Sequence, residues 1–280
     1  MKFLLRLLRK LRLLTYINLW GSYPLDKSIK IPVIKSLGYD HFFEKEPWLV
    51  DLLNGLISPS LHNDCFIDVG VNIGQTLLKV RSVNKSIEYV GFEPNPNCLF
   101  YIYELMKCNA FEKITIFPYA LSTKSEVLDL EFYSPEATDP YASIVPGMRN
   151  HSEHKIKVPV LNGSEFSYFN KLRTGVIKID VEGSELEVLN ALAQVIKRDR
   201  PFIICEVLPV YSADNVFRLT RQNKLESLVK SLRYKKVLIN SLGELKEIDM
   251  IGIHADIARV NYLFFPEEKK GEMEGKVNLY

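Results

Sequence analysis

The segment Cys65-Phe66-Ile67-Asp68-Val69-Gly70-Val71-Asn72-Ile73-Gly74, with Glu93 nineteen positions past Gly74, narrows the folds open to this chain more than any other feature. An apolar run ends in an acid, two glycines allow a sharp turn, and a helix-like pattern begins. This is the layout of a nucleotide-cofactor loop at the carboxyl end of a first parallel strand. Glycine serves there because a residue without Cβ reaches unusual φ/ψ values and lets a ligand approach the backbone. Glu93, at the end of the next predicted strand, suits a ribose diol, whose hydroxyls need an acceptor.

The sequence around this loop alternates strands and helices. Strands are predicted at 65–69, 88–92, 114–117, 176–180 and 202–207, and helices at 73–83, 96–108, 185–196 and 224–232. Continuous apolar strands separated by helices of this length form a parallel sheet covered on both faces. After Ala120 the rhythm changes: extended segments at 127–132 and 155–160 flank a turn-rich stretch, 134–154, long enough to serve as a lid. Segments 236–240 and 259–265 are expected to finish the sheet as a hairpin-like edge. Upstream, 42–57 reads as a helix, and 21–40, with Gly21, Pro24, Pro32 and Gly38, as an irregular connection. The charged stretch 267–280 is expected to fray.

Composition excludes several classes. An apolar content of 47% with 25% charged residues supplies a sizeable core. Of 36 basic residues, five (Lys2, Arg6, Arg9, Lys10, Arg12) precede the first acid, Asp26, which leaves 31 against 34 acids in the rest of the chain. Such a body has no general electrostatic affinity for nucleic acid. Cys65, Cys98, Cys108 and Cys205 show no CxxC spacing, which fits a reduced, cytoplasmic protein without structural zinc. Within residues 1–20, Leu4, Leu7, Leu8, Leu11 and Leu14 share one helical face and the basic residues the other, with Leu5 and Leu13 as exceptions. Two readings stand for this basic amphipathic helix. Either it lies on an anionic membrane surface, as a peripheral contact at the inner face, or it packs its leucines on the body or a second subunit.

The nucleotide can be narrowed further. Gly74-Gln75-Thr76 lacks the lysine of a P-loop, and Gly70-x-x-x-Gly74 is not the GxGxxG of a dinucleotide site. Asp68 repels a pyrophosphate but suits the ammonium of a methionine moiety, directly or through water. S-adenosylmethionine has no phosphate, and Asp68, the bare loop backbone and Glu93 form a consistent set for it.

Asp68 to Gly74, Phe92-Glu93-Pro94-Asn95-Pro96, Ala120-Leu121-Ser122, the run Ile177-Lys178-Ile179-Asp180-Val181-Glu182-Gly183-Ser184-Glu185, Arg200-Pro201 and Cys205-Glu206-Val207 follow in an order and at spacings that resemble the FkbM-type methyltransferase family. The resemblance covers residues 65–207. It implies a class I methyltransferase fold: a Rossmann-like α/β three-layer sandwich whose mostly parallel sheet has an antiparallel edge strand, here with an N-terminal helical extension. It implies S-adenosylmethionine as methyl donor and a hydroxyl of a sugar, glycan or secondary metabolite as acceptor. The cofactor positions become Asp68, Gly70, Asn72, Gly74, Glu93, Pro94 and Asn95, with Ala120 and Leu121 beside the adenine. In two places the chain departs from the family pattern. Val71 stands where Ala is usual, and Val158-Pro159-Val160 is followed by Leu161-Asn162-Gly163-Ser164 instead of Thr-Leu-Asp. The expected organisation is an N-terminal extension (1–59), a catalytic domain (60–266) and a tail (267–280).

A second cluster sits on the predicted strand 176–180. Val176, Lys178 and Asp180 point one way, and a covered strand tolerates Lys178 only if its ammonium is paired or reaches a cleft. Asp180 and Glu182 are the candidate partners. Asp180 is the expected general base for a hydroxyl acceptor, with Glu182 as partner or alternate and Glu206 facing the same cleft. Three such carboxylates also suit Mg²⁺, which would lower the acceptor's pKa in place of a protein base. His151 and His154 in the turn-rich stretch are read as solvated, and Tyr101, Tyr103, Phe111 and Phe117 as core. A chain that keeps the fold but only binds or scaffolds is the alternative to an enzyme.

Overall fold

The computed structural model describes residues 2–43, 46–59 and 64–276. A short helix α1 (Lys2–Lys10) leads to a hairpin of β1 (Asn18–Ser22) and β2 (Lys30–Ile34), a 3₁₀ turn (Tyr39–Phe42) and α2 (Pro47–Ile57). The alternation then runs β3 (Cys65–Val69), α3 (Gln75–Val83), β4 (Tyr89–Phe92), α4 (Pro96–Asn109) and β5 (Ile114–Phe117). Next come β6 (Ala120–Ser122), β7 (Glu126–Phe132) and β8 (His154–Asn162), which form a small separate sheet in the order β6-β8-β7. The chain returns through β9 (Thr174–Ile179), α5 (Glu185–Ala191), α6 (Ala193–Asp199), β10 (Phe202–Glu206) and α7 (Val216–Ser231). It finishes with β11 (Tyr234–Ile239), β12 (Leu245–Ile248), β13 (Asn261–Pro266) and α8 (Lys270–Lys276).

The main sheet has the order β5-β4-β3-β9-β10-β13-β11-β12. Strands β5, β4, β3, β9 and β10 are parallel, and β13 runs against both β10 and β11. Alternate residues of each strand feed two cores. Phe66, Tyr89, Val176 and Ile204 pack with the leucines of α2, α3 and α4, whereas Ile67, Val90, Ile177 and Ile203 pack with α5, α6 and α7. This is the class I methyltransferase arrangement, with β12 as its antiparallel edge strand. The expected terminal hairpin is corrected in one respect: β13 inserts inside the sheet, between β10 and β11. Tyr262, Leu263, Phe264 and Phe265 are all completely buried, and a run that is apolar on both faces fits only an interior strand.

The N-terminal region also differs from expectation. The helix within residues 1–20 stops at Lys10, followed by Arg12 at φ 56°. The stretch read as irregular holds the β1–β2 hairpin, whose two-stranded ladder tolerates Pro32 opposite Trp20. Leu5, Leu14, Ile31 and Val33 from this region share one core with Leu77 and Tyr101 of the main body. At the other end, 267–276 is helical rather than frayed, because Met273 is buried in that same core. Helix α7 starts at Val216, not near 224. Asn215 caps it by accepting from the Arg218 N–H, while its first residues, Val216 and Phe217, are exposed and give no apolar period. The expected boundary at residue 60 and the last four residues lie outside the described residues.

Chain order reverses between β3 and β9, and the crevice at their carboxyl ends is where open α/β sheets take ligands. Gly70 sits in that crevice at φ 90°. A Cβ added to it would lie 1.8 Å from the Asp180 carbonyl oxygen. Gly70→Ala is therefore expected to lose about 2 kcal/mol or more, a drop in Tm of roughly 4–8 °C. A thermal melt that moved by about a degree or less would contradict this account of the turn.

Candidate active site

One cavity of about 370 Å³ opens at the carboxyl ends of the parallel strands, within the size range of small-molecule sites. Gly70, Asn72, Glu93, Pro94, Asn95, Ala120, Leu121, Lys178, Asp180 and Glu182 all line it. Asp68 and Gly74 do not. Gly74 is the left-handed N-cap of α3. Asp68 lies within the sheet, where its carboxylate accepts from the Tyr89 hydroxyl and Oδ1 has no partner among the described residues. Asp68 pairs in register with Lys178. Burial raises its pKa to about 6, against the pull of Lys178 and the Tyr89 hydrogen bond. The structure places Asp68 one residue before Val69, the last residue of the strand, below the loop and outside the cavity lining.

The end of the cavity near β4 is built from backbone donors. Glu93 follows β4 and accepts from the Asn72 N–H at 2.8 Å and the Asn95 N–H at 2.7 Å, one on each oxygen. A carboxylate offers about four acceptor positions, so roughly two remain for a ligand. Burial raises Glu93 to about 7, against these two N–H groups. Asn72 holds φ 49°, with its own Oδ1 accepting from the Ile73 N–H. Asn95 caps α4 through Asn97 N–H and donates to the Ala137 carbonyl at 2.9 Å. Phe92, Pro94, Ala120, Leu121 and Leu130 supply an apolar wall.

Acids crowd the end near β9 and β10. Asp180, Glu182 and Glu206 each place a carboxylate oxygen within 4.8 Å of the others. Lys178 donates to Asp180 at 2.8 Å, and Arg149 donates to Glu182 at 2.6 Å. Burial pulls the Lys178 ammonium down, but the charges of Asp180 and Asp68 outweigh it and hold its pKa above the ordinary value. Burial, then the Asp180 charge, raises Glu182 to about 7 against Arg149. Burial, then the charges of Asp180 and Glu182, pushes Glu206 up to about 10. Glu182 itself occupies φ 52°, a strained position for a residue with a side chain. By donor type the three carboxylates suit Mg²⁺. Two of them already hold cationic partners.

Two walls have no local signature in the sequence. Tyr23, Asp40, His41 and Phe43 reach the cavity from the N-terminal region. His41 Nε2 lies 3.1 Å from the Ile73 carbonyl, and burial lowers its pKa to about 3, so the ring is neutral. Asp139, Tyr141 and Ile144 come from the turn-rich stretch. That stretch is fastened at both ends of the cavity, by Asn95 at Ala137 and by Glu182 at Arg149, whose guanidinium stacks 4.7 Å over Tyr141. His151 and His154 are exposed and do not line the cavity. Tyr101 is core, whereas Tyr103 is half-exposed.

These buried acids set a pH dependence. Glu206 binds its proton more tightly folded than unfolded, so its contribution to stability falls as pH rises from about 4.5 towards about 10. Glu206→Gln removes that loss. The Tm of the variant relative to the parent is expected to rise by several degrees between about pH 5 and pH 8. A difference that stayed constant across that range would remove the buried proton.

The family model described as the Methyltransferase FkbM domain matches residues 68–235. The hexuronic acid methyltransferase AglP of Haloferax volcanii is 26% identical over 184 residues, 65% of this chain and 72% of that protein. Among solved structures, the methyltransferase FkbM of Methylobacillus flagellatus KT aligns at 17% identity and a TM-score of 0.45. The alignment covers 81% of this chain but only 49% of that one, so this chain spans about half its length. The SAH-bound methyltransferase PaMTH1 of Podospora anserina aligns at 8% identity and a TM-score of 0.42, over 79% of this chain and 76% of that one. The chain belongs to the FkbM methyltransferase family.

Proposed function

We propose that this protein is an S-adenosylmethionine-dependent O-methyltransferase whose acceptor is a hydroxyl of a glycan or related small molecule. The observation that carries the reading is the two-ended cavity: Glu93, with acceptor positions to spare, at one end and a carboxylate cluster at the other. The residues fit the cofactor. Glu93 would accept from the ribose hydroxyls, Ala120 and Leu121 would flank the adenine, and the bare backbone of Gly70 would border the methionine portion. When bound, S-adenosylmethionine supplies an electrophilic methyl on a sulfonium, and transfer leaves a neutral thioether. Among the described residues seven acids line the cavity (Asp40, Glu46, Glu93, Asp139, Asp180, Glu182, Glu206), and even with a proton held on Glu206 they outnumber the two lysines, a field that suits a cationic sulfonium.

The protein's own task is alignment and proton removal. Asp180, hydrogen-bonded by Lys178, faces the cavity and takes the proton of the acceptor hydroxyl as its oxygen bonds to the methyl carbon. Glu182, raised to about 7, is the alternate acceptor of that proton. The same three carboxylates are the residues that would hold Mg²⁺. Their pairing with Lys178 and Arg149 favours the protein base.

Charge also narrows the acceptor. The relative AglP is named for a hexuronic acid. Among the described residues the two lysines of the lining, Lys79 and Lys178, are engaged by Glu46 and Asp180. A second carboxylate beside the reacting hydroxyl would lie against Asp180 and Glu182, which favours an uncharged reacting sugar.

Calorimetry is expected to give binding with S-adenosylmethionine and none with NAD, and Glu93→Ala is expected to weaken it by about 10- to 100-fold. No heat with S-adenosylmethionine sinks the cofactor assignment. In a methyl-release assay across glycan extracts, Asp180→Asn is expected to lose about 10²–10⁴ in kcat while keeping cofactor affinity. Cofactor binding without any turnover would leave the scaffolding reading, and full activity in Asp180→Asn would move the base elsewhere. Turnover is expected to withstand EDTA. Loss on chelation with recovery on Mg²⁺ would reassign the three acids to metal ligation.

A further inference from the structure

We infer that α1 and the turn after it dock this protein on an anionic lipid surface. The inference is independent of the methyl-transfer reading. Successive residues of a helix are about 100° apart, and α1 divides into three stripes. Leu5 is completely buried and Leu8 partly so, and these two fix the helix to the body. Phe3, Leu4, Leu7 and Leu11 form a second stripe, and all four are exposed, Phe3 at 80% and Leu11 at 55%. Lys2, Arg6, Arg9 and Lys10 form the third, with Arg12 following. Of the leucines on the expected packing face, Leu4, Leu7 and Leu11 face solvent while Leu8 and Leu14 pack on the core, and Leu5, which lies off that face, is the most buried residue of the helix.

Two cation–π contacts hold the helix in this pose. Arg6 stacks 5.0 Å over the Phe43 ring and Arg9 4.6 Å over Tyr39. Beyond the helix, Tyr16 and Trp20 are also exposed, at 83% and 61%. Amphipathic aromatic rings of this kind favour the headgroup level of a bilayer. An apolar stripe bordered by cations, with no acid before Asp26, is the composition that inserts its apolar side among acyl chains and leaves its charges with anionic headgroups. A second copy is a poor occupant, because two such helices would bring five like charges against five. Among the described residues no helix is long and apolar enough to cross a membrane, so the contact is with the surface. Phe43, the ring under Arg6, also lines the cavity, which puts one wall of the site a single side chain from the docking helix.

The test is flotation of the full chain with vesicles of phosphatidylcholine alone and of phosphatidylcholine with about 30% phosphatidylglycerol. Binding is expected to the anionic vesicles, at least about tenfold weaker to the neutral ones, and weaker in high salt. Leu4→Ser/Leu7→Ser/Leu11→Ser, at exposed positions, is expected to abolish flotation while its thermal melt stays that of the parent. Lys10→Gln/Arg12→Gln is expected to weaken partitioning by about 25-fold, at about fivefold per charge. No flotation, equal flotation on neutral vesicles, or flotation unchanged in the leucine variant would each overturn the inference. So would a parent that is dimeric and a leucine variant that is monomeric without either one floating, which would assign the stripe to a second copy.

Discussion

The site depends on the close approach of two strand ends. The Asp180 N–H donates to the Val69 carbonyl at 3.0 Å, and the Gly70 backbone lies against the Asp180 carbonyl so tightly that no side chain fits. β3 and β9 are neighbours in the sheet although more than a hundred residues separate them in the chain. Their junction fixes the distance between the glycine loop on one side and the carboxylates on the other. A methyl transfer that gains its rate from alignment needs that distance to be constant, and a backbone-to-backbone contact is the stiffest means of holding it.

Around this junction the protein places charge where water is scarce. Glu93, Glu182 and Glu206 are all raised by burial, and each has different surroundings: Glu93 accepts from backbone N–H groups, Glu182 pairs with Arg149, and Glu206 faces the like charges of Asp180 and Glu182, which raise it further. Lys178 is tolerated inside a covered sheet because Asp68 lies beside it and Asp180 above it. The motif acid Asp68 lies in register with Lys178 and accepts from the Tyr89 hydroxyl, and so links the two ends of the site through the sheet.

Much of the fold was legible because its signals are local. Short apolar runs that end at glycine or acid marked β3, β4, β9 and β10, and the loops after them carried the residues that line the cavity. The small sheet and the turn-rich stretch were also visible, as two extended segments around prolines. The misreadings share a cause. Sequence order favours an edge place for β13, whereas the burial of Tyr262 to Phe265 on both faces demands an interior one. The hairpin at 18–34 was hidden by Pro24 and Pro32, and the start of α7 by its exposed first turns. The place of Asp68 outside the cavity was not legible because a sequence gives the order of residues along a strand but not which side chains reach the space beyond its end.

By itself, the sequence determined the alternation of strands and helices, the glycine loop with Glu93 after the next strand, and the presence of Lys178, Asp180 and Glu182 on one motif. Each rests on spacing within about twenty residues, the range over which strand and helix periods act. Only the tertiary structure decided that His41 and Phe43 close the cavity from the N-terminal region, that Asn95 and Glu182 fasten the turn-rich stretch over it, and that Leu4, Leu7 and Leu11 face outward while Leu5 faces in. Those outcomes come from contacts between segments far apart in the chain, where the residues that meet are chosen by the packing of the whole and leave no period in the sequence.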